Sequence, residues 1–116
     1  MDSTFKARWV AALTSGNYKQ GFSVLHRITD TGDEFCCLGV ACKLLADDGK
    51  IESAPHDWSV PSTARVMLYN GTDIHYMPVV ARDKLGLPHY EMMRLADMND
   101  DMKTFEEIAQ WIDVNL

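Results

Sequence analysis

EFCCLGVACKLLA, residues 34–46, starts as a strand and continues as a helix. Phe35 and the two cysteines after it suit an extended entry. From Cys37 onward the apolar residues recur at helical spacing. Cys37, Ala41 and Leu45 form one row, and Val40 and Leu44 form a second row beside it. Only Lys43 is charged, so the pattern predicts a helix sunk in the core rather than one lying on it. Gly39 costs about 1 kcal/mol relative to alanine inside a helix. Its presence predicts that another piece of backbone passes close by.

The flanking segments predict a single α+β domain over residues 1–116, with about five helices around two β-hairpins and a buried central helix. On the N-terminal side, Ser3 or Thr4 caps a first helix running to about Ser15. Gly16 is its stop residue, and Phe5, Trp9, Ala12 and Leu13 lie on one face. Asn17–Gly21 is a loop anchored by Tyr18. Phe22–Ile28 reads as a strand, with Phe22, Val24 and Ile28 on one side, and the Thr29–Asp33 turn returns it into the central segment. Asp47, Asp48 and Gly49 end the central helix. Lys50–Pro61 has two prolines and no period, with Trp58 as a plug against the core. Asn70–Gly71 is a strong hairpin signal, placing strands at Thr63–Tyr69 and Thr72–Met77. Pro78 opens a helix to Leu85 that stops at Gly86. Pro88 opens another to about Asp97, burying Met92, Leu95 and Tyr90. A polar connection, Asp97–Lys103, leads to the T-x-x-E capping box of Thr104 and Glu107, and Phe105, Ile108, Ala109 and Ile112 form the buried stripe of the last helix.

Composition narrows the function classes. Hydrophobic residues make up 47% and charged residues 24%, which is ordinary for a globular domain. Seventeen acidic against eleven basic residues give a net charge of −6, which argues against a nucleic-acid partner. No apolar run approaches the roughly 18 residues of a membrane span, and MDSTFKARW has no signal-peptide core. Three cysteines, two of them adjacent, are expected to be free thiols in a reducing cytoplasm.

Five motifs together resemble a family of small phage- and prophage-encoded proteins of uncharacterised function. They are W-x-x-A-L-x-S-G-x-Y-x-Q-G at Trp9–Gly21, C-C-L-G-V at Cys36–Val40, a proline segment ending L-G-L at Met77–Leu87, L-x-x-M-N-D at Leu95–Asp100, and T-F-x-x-I-A at Thr104–Ala109. Met77 stands where the family pattern has leucine. The resemblance implies a phage-type context and supplies no catalytic residues. Small proteins of that context often counter host defence. The expected function is therefore a non-enzymatic accessory protein that binds and blocks a host factor, such as a defence protein or its nucleotide-like signal.

Residue chemistry alone offers other readings. Cys36, Cys37 and Cys42 lack the spacing of a zinc site, and no metal or cofactor is expected. Asp97, Asn99, Asp100 and Asp101 superficially resemble a calcium loop. However, Met102 occupies the required glycine position and Ile108 the glutamate position. A cysteine-dependent hydrolase using Cys37 and His75 is the alternative class, because a helix N-terminus lowers a thiol pKa. A structural or protein-interaction module is a third. The preferred site is the stretch around the first hairpin. There Lys19, Arg27 and Lys43 offer cationic donors, Gln20 a polar edge, and Tyr18 or Trp9 a ring for an anionic ligand. The partners expected are thus a small anionic ligand or a host protein.

Overall fold

A methyl group added at Gly39 would sit 1.6 Å from the Leu25 carbonyl oxygen and 2.6 Å from its carbonyl carbon. The close backbone approach predicted from this glycine is therefore real, and it sets the arrangement of the whole molecule. The computed structural model describes residues 1–58, 64–71 and 74–116. Its order is α1 (Ser3–Thr14), β1 (Lys19–Gln20), β2 (His26–Ile28), β3 (Glu34–Phe35), α2 (Cys37–Asp47), β4 (Ser53–Trp58), β5 (Ala64–Tyr69), α3 (Val79–Leu85), α4 (His89–Asp100) and α5 (Phe105–Asn115).

The central helix α2 buries Cys37 through Cys42 together with Leu44 and Leu45, leaving Lys43 at the surface. It packs against α1 on one side and α4 on the other, and α5 closes over α1. Phe5, Trp9 and Leu13 of α1 meet Phe105, Ile108, Ala109 and Ile112 of α5 in one continuous core. The strands form one mixed sheet in the order β1-β3-β2-β5-β4. The β1 strand runs parallel to β3, and all other neighbours are antiparallel.

Local chemistry explains most boundaries. The Thr104 hydroxyl accepts from the Glu107 amide, and Glu107 reaches back to the Thr104 amide, so the capping box is complete. The helices α3 and α4 each follow a proline, and Gly86 ends α3 in the left-handed region at φ 68°. Cys36 caps α2, its sulfur accepting from the Gly39 amide at 3.4 Å.

Several expectations need correction. Asp2, and neither Ser3 nor Thr4, caps α1 by accepting from the Phe5 amide at 2.7 Å. The strand predicted over Phe22–Ile28 shrinks to three residues, with Val24, Leu25 and His26 all buried and Phe22 exposed. Asn70 and Gly71 both adopt positive φ, at 56° and 65°, as their turn chemistry demands. The strand paired with β5, however, is β4, drawn from the stretch expected to be irregular. Pro55 is tolerated there because β4 lies at the sheet edge, where a missing N–H leaves no ladder partner short. Ile74–Tyr76 form bends rather than a strand. The Trp58 side chain, expected to plug the core, and Thr63, Thr72 and Asp73 of the expected second hairpin lie outside the described residues. Tyr90 is exposed rather than buried. Finally, α4 runs to Asp100, so half of the expected polar connection is helix and places Asn99 in the core.

Candidate functional site

The loop after α1 and the turn between β2 and β3 face each other across an open depression of about 750 Å³, lined among others by Tyr18, Lys19, Asp33, Phe35 and Lys43. Gly16, at φ 79°, turns the chain out of α1 and lets Tyr18 fall onto the sheet. The Tyr18 and Phe35 rings meet edge-on, with centroids 5.2 Å apart at 84°. Phe35 in turn lies 4.1 Å from the imidazole of His26.

A polar chain runs from the partly exposed Asp33 into the core behind this aromatic wall. His26 is 1% exposed; its Nε2 lies 2.7 Å from an Asp33 carboxylate oxygen and its Nδ1 lies 2.7 Å from the Tyr69 hydroxyl. A neutral imidazole satisfies both contacts, with Nε2–H donating to Asp33 and Nδ1 accepting from the Tyr69 O–H. Burial lowers the His26 pKa, with the Asp33 hydrogen bond and charge opposing that effect and Lys43 adding to it. The unfolded chain therefore binds the extra proton more readily than the folded one. Stability should be full above the ordinary histidine pKa of about 6.5 and decline as pH falls through it. His26→Gln should flatten that part of a denaturation-versus-pH curve. An unchanged slope would show that another group titrates.

The six residues favoured by the sequence do not form one site. Tyr18, Lys19 and Lys43 line the depression. Strand alternation places Lys19, Glu34 and Arg27 together on the opposite face of the sheet from Phe35 and His26. The Lys19 ammonium accordingly bridges to Glu34 at 3.3 Å, along the rim. Lys43 pairs with Asp47 at 2.5 Å. Trp9 is fully buried, and its indole N–H donates to the Cys37 carbonyl at 3.0 Å. In this fold it holds α1 on α2 and presents no ring to a ligand. Gln20 does not line the depression, its amide donating instead to Asn99 at 3.1 Å and to the Lys103 carbonyl at 2.7 Å.

Asn99 is the residue that sequence reasoning missed. Its Oδ1 accepts from the Cys37 amide at 3.1 Å as well as from Gln20, and its Nδ2 donates to the Gly21 carbonyl at 2.8 Å. One fully buried amide thus joins three of the motifs: the Q-G of the first, the C-C of the second and the N-D of the fourth. Asp100 adds a fourth tie by accepting from the Ser23 amide at 3.0 Å, where Ser23 holds a positive φ of 72°. The only local signal for this role is the Asn99–Asp100 pair in that motif, which the sequence presents as part of a polar connection.

Cys36 and His75 meet at a second, smaller cavity of about 170 Å³, shared with Ser23, Tyr76 and Asp100. The Nδ1–H of His75 donates to the Ser23 carbonyl at 2.7 Å. Burial pushes the Cys36 thiol up to about 11, and it holds those of Cys37 and Cys42 well above their ordinary range. Cys37, proposed above as a nucleophile, is fully buried and donates its S–H to the Leu95 carbonyl at 3.5 Å. Thiol titration should find three reactive groups only after denaturation in the absence of reductant, with slow reaction in the native protein. One rapidly reacting thiol in the native state would contradict this assignment.

Among the described residues, no group of three His, Cys, Asp or Glu could hold a metal ion, and no helix is long and apolar enough to cross a membrane. No curated protein and no solved structure matches the chain. A family model described as a domain of unknown function, DUF8296, matches residues 1–116, and the chain belongs to that family.

Proposed function

We propose that this is a non-enzymatic accessory protein, of the kind phages and prophages carry, whose Tyr18 depression binds an anionic, ring-bearing ligand such as a nucleotide-like signal. The observation that carries this reading is the depression itself: an aromatic wall of Tyr18 and Phe35 with two lysine side chains at its edge. Its volume of about 750 Å³ falls within the ~300–1,000 Å³ usual for small-molecule sites. Among the described residues, Lys19 and Lys43 pair with the partly exposed carboxylates of Glu34 and Asp47. Such surface pairs are worth about 0–1 kcal/mol, so a phosphate can displace them. Charge-assisted bonds to that phosphate are stronger than the pairs they replace. Sequestration of a signal in the host cytoplasm would block a host response without any chemical step. The raised thiol pKa of Cys37 and its burial make the cysteine-hydrolase reading the weaker one.

Calorimetry with AMP, cyclic AMP and a cyclic dinucleotide as probes tests this reading. Tyr18→Ala and Lys43→Ala should each weaken the best probe about tenfold, a loss of about 1.4 kcal/mol. Arg27→Ala, outside the lining of the depression, should change it less than about twofold, as should Asp101→Asn. Failure of all three probes to bind, or equal sensitivity to Asp101→Asn, would overturn it.

A further inference from the structure

The charge of this chain is concentrated at one end. Residues 89–116 contain seven acidic side chains against Arg94 and Lys103, a net −5 of the −6 carried by the whole chain. The preceding 88 residues are close to neutral, with ten acidic and nine basic side chains. This acidic segment is α4, α5 and their connection, and its surface is also apolar. A groove of about 380 Å³ runs beside Met98, Trp111 and Val114, with Glu107 and Lys103 at its edge. Through Met98 and Lys103 it continues into a second depression of about 440 Å³, rimmed by Asp97, Asp100 and Asp101.

The exposed apolar groups here are large. Val114 is 75% and Met102 70% exposed. Met102 also adopts φ 69° just after α4, in the left-handed position that normally favours glycine. A largely solvated methionine at that position costs backbone strain and gains little burial within the molecule. The Trp111 ring is half-buried, with the Arg94 guanidinium 5.6 Å from its centroid.

We propose that the α4–α5 face docks a basic, amphipathic helix from a partner protein. The apolar row of such a helix would lie along Met98, Trp111 and Val114, and its lysines or arginines would face Asp97 and Asp101. Methionine suits this role because its unbranched, polarisable side chain repacks around different apolar anchors. Charge removes the other occupants. The two depressions are lined by four carboxylates against Arg94 and Lys103, so a second copy of this face would bring net negative charge against net negative charge, and a nucleic acid or an anionic membrane would be repelled in the same way. The inference rests on the C-terminal helices alone and is independent of the Tyr18 depression.

The test uses a fluorescent leucine–lysine peptide whose leucines fall on one helical face. Its controls are a scrambled peptide of the same composition and an analogue with glutamate for lysine. Fluorescence polarisation should show saturable binding of the first peptide, at least tenfold tighter than the scrambled one, and none of the glutamate analogue. The surface double variants Met102→Ser/Val114→Ser and Asp97→Asn/Asp101→Asn should each weaken binding about tenfold, whereas Lys43→Ala should leave it unchanged. Equal binding of the scrambled peptide, or indifference to both double variants, would reduce the effect to non-specific charge and overturn the proposal. Sedimentation showing a dimer that Val114→Ser dissociates would overturn it in favour of a second copy.

Discussion

Gly39→Ala should destabilise the protein by about 4 kcal/mol or more, placing it among the largest single-residue effects. Intrinsic propensity points the other way, since alanine in a helix interior is favoured over glycine by about 1 kcal/mol. Geometry decides between them. The new methyl group would overlap the Leu25 carbonyl, whose oxygen lies 1.6 Å from the Cβ position. That neighbour is backbone and cannot rotate away as a side chain could. It is also held from both sides, because Leu25 O accepts from the Cys36 amide at 3.2 Å and Leu25 N donates to the Ile74 carbonyl at 2.8 Å. Relief would require α2 to move off the sheet, disrupting the core on its other faces. Typical domains are stable by only about 5–15 kcal/mol, so much of the folded population is at stake. Chemical denaturation measures this directly, and a variant as stable as the parent would mean that α2 and the Leu25 segment are not in contact.

Asn99→Ala is the second large effect, at about 3–5 kcal/mol. The substitution strands the Cys37 amide at the start of α2 and the Gly21 carbonyl, each buried and each costing about 1–3 kcal/mol when unpaired. The small cavity left behind adds to the loss. Asn99→Asp should do nearly as much damage. It keeps the accepting oxygen but loses the Nδ2 donor, and it sets a buried carboxylate against the Gly21 carbonyl. Gln20→Ala removes only a partly buried spoke of the same network and should cost about 1 kcal/mol. A denaturation series in which Gln20→Ala equals or exceeds Asn99→Ala would show that the amide is not the hub.

The contrast between these two residues explains what the sequence discloses. Gly39 sits in a run that is apolar on every face, so both the buried helix and the close approach could be inferred from local pattern. The capping box at Thr104 and Glu107 was legible for the same reason, since all its atoms lie within one turn. Asn99 has partners 62 to 79 positions away, and nothing beside it announces them. The Asn70–Gly71 turn shows the intermediate case. Its positive φ values follow from the residues, whereas the strand that pairs with β5 depends on which segment finds the sheet edge. The candidate site divides in the same manner. Tyr18, Lys19 and Lys43 reach one depression because short loops and α2 place them there. Trp9 and Gln20 have the same polar and aromatic chemistry but spend it on the Cys37 carbonyl and on Asn99. Arg27 shares a sheet face with Lys19 and Glu34 but lies one strand further from the loop after α1 and does not line the depression.

The most direct test of ligand binding at the Tyr18 depression is a chemical-shift titration of the isotope-labelled protein with the tightest of the three nucleotide probes. Saturable shifts should fall on the amides of Gly16–Lys19, on the Thr31–Phe35 segment and at Lys43, with the α4–α5 face undisturbed. No saturable shift, or shifts concentrated on residues 98–115, would contradict the assignment.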